Sequence, residues 1–277
     1  MILTPDNYLS PEADREFMSF HQYRNWMDCS AAEYARIFDG WDGDKETESL
    51  LLGQYIDKKL LTPEVLPEWL DAHPEVYLSR GKDKGGLKEQ YRKADVMVAS
   101  LLSDPVAVKM IEGEHQWLVT GVIGGVNWRG MVDDIQPTRE VFVDLKSCRN
   151  VEEDMWNAKV YQREMWYEFY NIWTQLAVYQ ELIFQKYGKK FLPMILAVDK
   201  QEPPDKAALA FQDQYRLDVE IAEIQRNMPR VLEWKAGKKI KPCGKCAYCR
   251  TKKQLKITVA KNQGIRASDD ILAEAGF

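Results

Sequence analysis

Between Gly130 and Lys146 the chain carries two short alternating runs, Gly-Met-Val-Asp-Asp-Ile and Val-Phe-Val-Asp-Leu-Lys, joined by Gln136-Pro137-Thr138-Arg139. No other pattern in the sequence constrains the fold as tightly. Successive side chains on a strand point to opposite faces, so Asp144 and Lys146 share a face with Phe142, while Val143 and Leu145 take the other. The proline turn folds the first run back on the second, and the hairpin can then bring Asp133 to Asp144 and Lys146.

Two carboxylates and an ammonium in one place suit phosphodiester hydrolysis. Mg²⁺ takes hard oxygen ligands from a few carboxylates and fills the rest of its shell with water and phosphate oxygens. A lysine beside those ligands can orient the attacking water and offset charge in the transition state. By itself, an Asp-x-Lys strand is more often an ordinary hairpin with surface ion pairs, so the surrounding residues must discriminate.

The chain has 277 residues, 45% of them hydrophobic, enough for a substantial core. No stretch reaches the ~20 apolar residues of a membrane span and no basic-then-apolar leader opens the sequence, so a soluble cytoplasmic protein without a membrane partner is expected. A net charge of −5 repels phosphate as a whole, so any nucleic-acid contact must be local. From Lys235 to Lys256 there are nine Lys or Arg and no acid, including Lys238, Lys239, Lys241, Lys245, Arg250, Lys252 and Lys253. Such a run can track a phosphate backbone or form a solvated face.

Apolar spacing predicts helices over Ser19–Phe38, about Thr47–Leu61, and Glu89–Leu102. The period then changes. Strands are expected over Glu114–Thr120, Gly125–Ile135 and from Val141, then a long helix over Tyr167–Tyr187, a buried strand Phe191–Val198, and a helix Leu217–Trp234 bent at Pro229. Strands flanked by helices make an α/β fold around a mixed central sheet. We read one domain over 1–277, with a helical N-terminal region (residues 1–110), a core (111–200), and a helical C-terminal region (201–277) carrying the cysteines. Gln175 and Tyr179 project from one face of the long helix. Trp156, Tyr161, Trp166, Tyr167, Tyr170 and Trp173 could stack on unpaired bases, but most fit a packed core better.

The order Gly-x-x-Asp133, Asp144-Leu-Lys146, Gln175-x-x-x-Tyr179 resembles the PD-(D/E)XK nuclease superfamily, in the branch of RecB-type nuclease domains and phage-type recombination exonucleases. It is most similar to the phage and prophage exonuclease-eight-like (RecE-like) family. The likeness extends to Ser49–Asp57, Gly113-Glu114-His115-Gln116 and Cys243–Arg250. It implies a restriction-endonuclease-like core in which Asp133, Asp144 and Glu114 hold Mg²⁺ or Mn²⁺, Lys146 assists the water, and Gln175 with Tyr179 contacts DNA near the scissile phosphate.

The activity implied is an exonuclease degrading one strand of linear double-stranded DNA in phage-type recombination, acting at DNA ends as a homo-oligomer with a single-strand annealing protein. A RecB-like endonuclease or spacer-processing nuclease, and a non-catalytic DNA-binding module with a structural metal site, are the alternatives. Asp57 stands where RecB-type domains often carry His, so it either supplies another carboxylate to the site or the early motif has no metal role, and Asp134 points to the face opposite Asp133. Lys238, Lys239 and Arg250 are the candidate DNA-binding cations of the basic run.

Cys243, Cys246 and Cys249 form C-x-x-C-x-x-C and need a fourth ligand, for which Cys29 is the candidate. Thiolates suit both a [4Fe–4S] cluster and zinc. Several RecB-like nucleases place one cysteine before the core and three after it around an iron–sulfur cluster, and the resemblance implies the same here. Cys148 is left over, as a buried thiol.

Overall fold

The computed structural model describes residues 1–42, 47–255, 258–261 and 264–267. Lys256 of the basic run lies outside them. The N-terminal region is helical: α1 (Pro11–Glu16), α2 (Phe20–Asp28), α3 (Ser30–Phe38), α4 (Glu48–Leu61), α5 (Leu66–Ala72), α6 (Glu89–Leu102) and α7 (Pro105–Met110). The single helix expected over Ser19–Phe38 is two, because Cys29 adopts an extended conformation, φ −159° and ψ 98°. α2 starts where the Ser19 hydroxyl accepts the Gln22 N–H at 3.2 Å, replacing a bond the first turn lacks.

The strands follow as β1 (Glu114–Ile123), β2 (Val126–Gln136) and β3 (Val141–Cys148), then a separate hairpin of β4 (Asp154–Asn157) and β5 (Gln162–Met165). Next come α8 (Trp166–Phe169), α9 (Ile172–Tyr187), β6 (Leu192–Asp199), β7 (Lys206–Ala210), α10 (Gln214–Lys235) and α11 (Ala247–Thr251), with β8 (Thr258–Lys261) and β9 (Gly264–Ala267) pairing beyond. The helix expected over Tyr167–Tyr187 is interrupted at Asn171, whose φ of +56° cannot continue it. α10 runs through Pro229, which faces solvent, so water can take the carbonyl that loses its partner. Among the described residues no helix is long and apolar enough to cross a membrane.

The central sheet has the order β1-β2-β3-β6-β7. β1, β2 and β3 form an antiparallel meander, β6 runs parallel to β3, and β7 returns antiparallel. A parallel partner requires a crossover, which the β4–β5 hairpin, α8 and α9 supply. α9 covers one face, where Phe142, Ile135 and Ala197 pack with Leu176, Tyr179 and Ile183. On the other face Val143, Leu145, Leu196 and Val198 meet Tyr55 and Ile56 of α4 and Tyr91 and Met97 of α6. Burial on both faces explains the near-continuous apolar reading of β6, and each such side chain contributes about 1.5–3 kcal/mol.

One irregularity positions the site. β2 pairs with β3 over three residues only, Asp134↔Val143, Ile135↔Phe142 and Gln136↔Val141, and then the strands separate. Farther along the same edge of β2, Met18 takes the vacated role: its N–H donates to Asn127 O, and its carbonyl accepts from Arg129 N–H, both at 2.8 Å. Between these two partners the edge of β2 is a notch.

Candidate active site

Asp133 stands where β2 and β3 separate. Its Oδ2 accepts the Leu145 backbone N–H at 2.7 Å, a donor the sheet ladder leaves behind at the split, and its Oδ1 accepts from Gln116 Nε2 at 3.3 Å. Asp144 projects from β3 and is 2% exposed. Gln175 Nε2 of α9 donates to its Oδ1 at 2.9 Å and to the Tyr179 hydroxyl at 3.2 Å. The other oxygen, Asp144 Oδ2, pairs with Lys146 Nζ at 2.5 Å.

The Gly of Gly-x-x-Asp has a packing reason. A Cβ at Gly130 would lie 2.9 Å from two ring carbons of Tyr179, so the bare backbone makes room for the ring that carries the hydrogen-bond chain toward Asp144.

Charge is crowded here. Burial, then Asp144 and Asp57, push Asp133 well above the usual carboxylate range. Asp57, on α4, is raised to about 7 by burial, with Lys146 opposing the shift and Asp144 adding to it. Burial works against the Lys146 ammonium, but Asp144, Asp133 and Asp57 outweigh it and raise its pKa. Three acids surround this cation in a desolvated place. That excess of negative charge, three acids acting on one lysine, fits a hard divalent cation.

Of the residues expected from the sequence, Asp133, Asp144, Lys146, Gln175 and Tyr179 converge. Glu114 does not. It is exposed and sits opposite Ile135, at a register position away from the carboxylates. Gln116, at φ +49°, lies level with Asp133 between the His115–Asp134 and Trp117–Val132 pairs, and it is Gln116 that reaches Asp133. The further acid is Asp57.

Gln175 and Tyr179, expected to face DNA, are 3% and 6% exposed, and Gln175 spends its amide on Asp144 and Tyr179. Asp134 points away from the site and is fully buried. Its Oδ2 accepts the Gly113 N–H at 2.8 Å and its Oδ1 accepts from Gln136 Nε2 at 2.9 Å. Lys238, Lys239 and Arg250 are exposed. Lys239 pairs with Glu233, and Arg250 donates to the Lys245 carbonyl at 3.1 Å. Trp166 is buried and Trp173 and Tyr167 pack against the core, whereas Trp156, Tyr161 and Tyr170 are exposed.

The four cysteines form a second candidate site. Their sulfurs all lie within 4.8 Å of one another, with Cys29 to Cys249 at 3.6 Å and Cys243 to Cys249 at 3.9 Å. The extended backbone at Cys29, which splits the N-terminal helices, presents its thiol to the group. Gly244 turns at φ +76°, and the Lys245 and Cys246 N–H groups then point at Cys243 Sγ at 3.4 and 3.3 Å. Those two donors pull the Cys243 thiol down to about 6. N–H groups that stabilise thiolate suit a thiophilic metal. Cys148 stands apart, pushed up to about 12 by burial.

A family model described as a PDDEXK-like domain of unknown function (DUF3799) matches residues 19–252. A crystal structure from Eubacterium rectale, described as a "Putative exonuclease", is similar to this chain at 27% identity, with a TM-score of 0.86, covering 94% of this chain and 97% of that one. A structure of SSO0001 covers 74% of this chain and 94% of its own at 13% identity and a TM-score of 0.28, too remote to bear on the fold. No curated protein matches.

Proposed function

The chain belongs to the PDDEXK-like domain family and has the α/β fold of PD-(D/E)XK nucleases, and on that premise we propose that it is a Mg²⁺-dependent exodeoxyribonuclease that degrades one strand of linear duplex DNA from an end. One observation carries the reading: Lys146 Nζ lies 2.5 Å from Asp144 Oδ2, and the charges of Asp133 and Asp57 act on the same ammonium. Asp133 and Asp144, with Asp57 beside them, would hold the ion. The chemistry such an ion supplies is Lewis-acid polarisation of the phosphate and a water acidic enough to attack near neutral pH.

The chain does the rest. Gln175 fixes Asp144, and the Leu145 N–H with Gln116 fixes Asp133, so both acids are oriented before substrate arrives. Lys146 orients the attacking water and neutralises charge that grows on the phosphate. Action at DNA ends in phage-type recombination, as a homo-oligomer with a single-strand annealing partner, follows from the sequence resemblance and belongs to the same proposal.

The assay is release of nucleotides from end-labelled linear duplexes in Mg²⁺, beside covalently closed circles. Linear substrate should be consumed and circles spared, and Lys146→Ala should bind DNA without cutting it. Cutting of circles would instead favour a RecB-like endonuclease, and full activity of the lysine variant would remove the assignment altogether.

The four cysteines are proposed to hold a metal centre tying the N-terminal helices to the C-terminal segment. Four thiol sulfurs within 4.8 Å of one another suit a thiophilic centre, either a single zinc ion or the [4Fe–4S] cluster that the resemblance implies. Metal analysis of anaerobically purified protein decides: stoichiometric zinc without iron supports the single ion, and iron with labile sulfide supports the cluster.

A further inference from the structure

The notch on β2 between Met18 and Asp134 is lined by a residue that precedes the family match. Tyr8 closes the short helical turn Pro5–Asn7. That turn is pinned: Thr4 N–H donates to Asn7 Oδ1 at 2.8 Å, Asn7 Nδ2 to Ile2 O at 3.0 Å, and Ser10 N–H to Asn7 O at 3.0 Å. Immediately afterwards Ser10 caps α1 by accepting the Ala13 N–H at 3.1 Å. The Tyr8 ring covers the Arg129 guanidinium at 4.9 Å. Arg129 is 3% exposed, is anchored to Asp14 through Nη2, and finds no acceptor for Nε or Nη1 among the described residues.

Strand geometry then fixes what the hydroxyl meets. Arg129 gives its N–H to Met18, so Met131, two residues on, directs its N–H to the same open edge. Burial acts most strongly on the Tyr8 phenol, then the Arg129 cation, the charges of Asp14 and Asp133 and that N–H, and Tyr8 in turn acts on Tyr179. The phenol thus meets β2 at Met131, two residues before Asp133, with a cation beneath its ring, an arrangement that strengthens O–H donation to an anion.

We propose that Tyr8 is a phosphate-contacting residue, donating a hydrogen bond to a non-bridging oxygen of the DNA phosphate lying at Asp133 and Asp144. This rests on the nuclease reading and adds to it a substrate contact from the N-terminal segment.

Tyr8→Phe in the full chain is the test, since it keeps the ring over Arg129 and removes only the hydroxyl. With end-labelled duplex in Mg²⁺, kcat/KM should fall roughly tenfold or more, as expected for loss of a hydrogen bond to a charged oxygen. Affinity for the same duplex in Ca²⁺ should weaken, and a phosphorothioate at the scissile position should slow the variant less than the parent. A purely structural tyrosine would lower the melting temperature but leave the phosphorothioate response unchanged. Parent-like rate and affinity would overturn the proposal. If the parent hydrolyses nothing, the nuclease reading fails on its own, and the Ca²⁺ affinities still decide on Tyr8: equal values remove it.

Discussion

Replacing Gly130 by alanine adds one methyl at the most crowded point of the site. The new Cβ would sit 2.9 Å from two Tyr179 ring carbons and 3.3 Å from Val119 Cγ1. Ordinary contact needs about half an ångström more than the closer of these distances, so the ring must retreat, and Tyr179 is linked through Gln175 to Asp144. Overpacking of this kind costs about 1–3 kcal/mol, offset by about 0.4–1 kcal/mol from the stiffer unfolded chain.

A net loss of roughly 1–2 kcal/mol corresponds to a melting temperature lower by about 2–8 °C. The displaced acid should also slow hydrolysis by about tenfold, since small misplacements of reacting groups are costly. Gly53→Ala is the control. Gly53 lies inside α4 and a Cβ there meets nothing within 4 Å, so alanine should stabilise by about 0.5–1 kcal/mol. Scanning calorimetry of both variants checks the pair. A Gly130→Ala protein that melts and cuts like the parent would refute the claim that Tyr179 packs on that backbone.

Asp133→Asn should abolish hydrolysis, whereas Asp134→Asn should keep activity within a few-fold of the parent, as measured by nucleotide release; equal losses would show that the neighbouring acids share the task. Lys235 is held down from 10.5 to about 8, chiefly by burial. The unfolded chain therefore binds the extra proton between those values, and stability should rise with pH from about 8 to 10.5. Lys235→Gln should flatten that rise in urea titrations. Cys246→Ser should lower bound metal and melting temperature together, while Cys148→Ser should leave metal content unchanged, both read by elemental analysis.

Where periodicity alone decides, as on β3, the sequence was legible: Asp144 and Lys146 share the face of Phe142, and Val143 and Leu145 take the other. Single-residue backbone breaks were not. Cys29 and Asn171 interrupt stretches whose apolar spacing continues across them, so period-counting joins helices that the chain splits. Glu114, taken from the resemblance, falls opposite Ile135, while Gln116 stands at the level of Asp133 between the His115–Asp134 and Trp117–Val132 pairs. Asp57, which the resemblance marked as either a further carboxylate of the site or a residue without a metal role, acts on the acids from a helix that no local pattern places there. The β4–β5 hairpin is short and polar and β7 is a short alanine-rich run, and each carried too little alternation to be seen.

The parting of β2 and β3 binds architecture to chemistry in one carboxylate. Asp133 satisfies the amide that the split leaves bare, so a descendant that had given up catalysis would still gain by keeping an acid there. Survival of that residue in a relative is accordingly weak testimony to activity. Lys146 and Asp57 do no such repair, and they cost the fold desolvated charge. In sequences of this kind, those two positions are the ones whose loss would distinguish a retired nuclease from a working one.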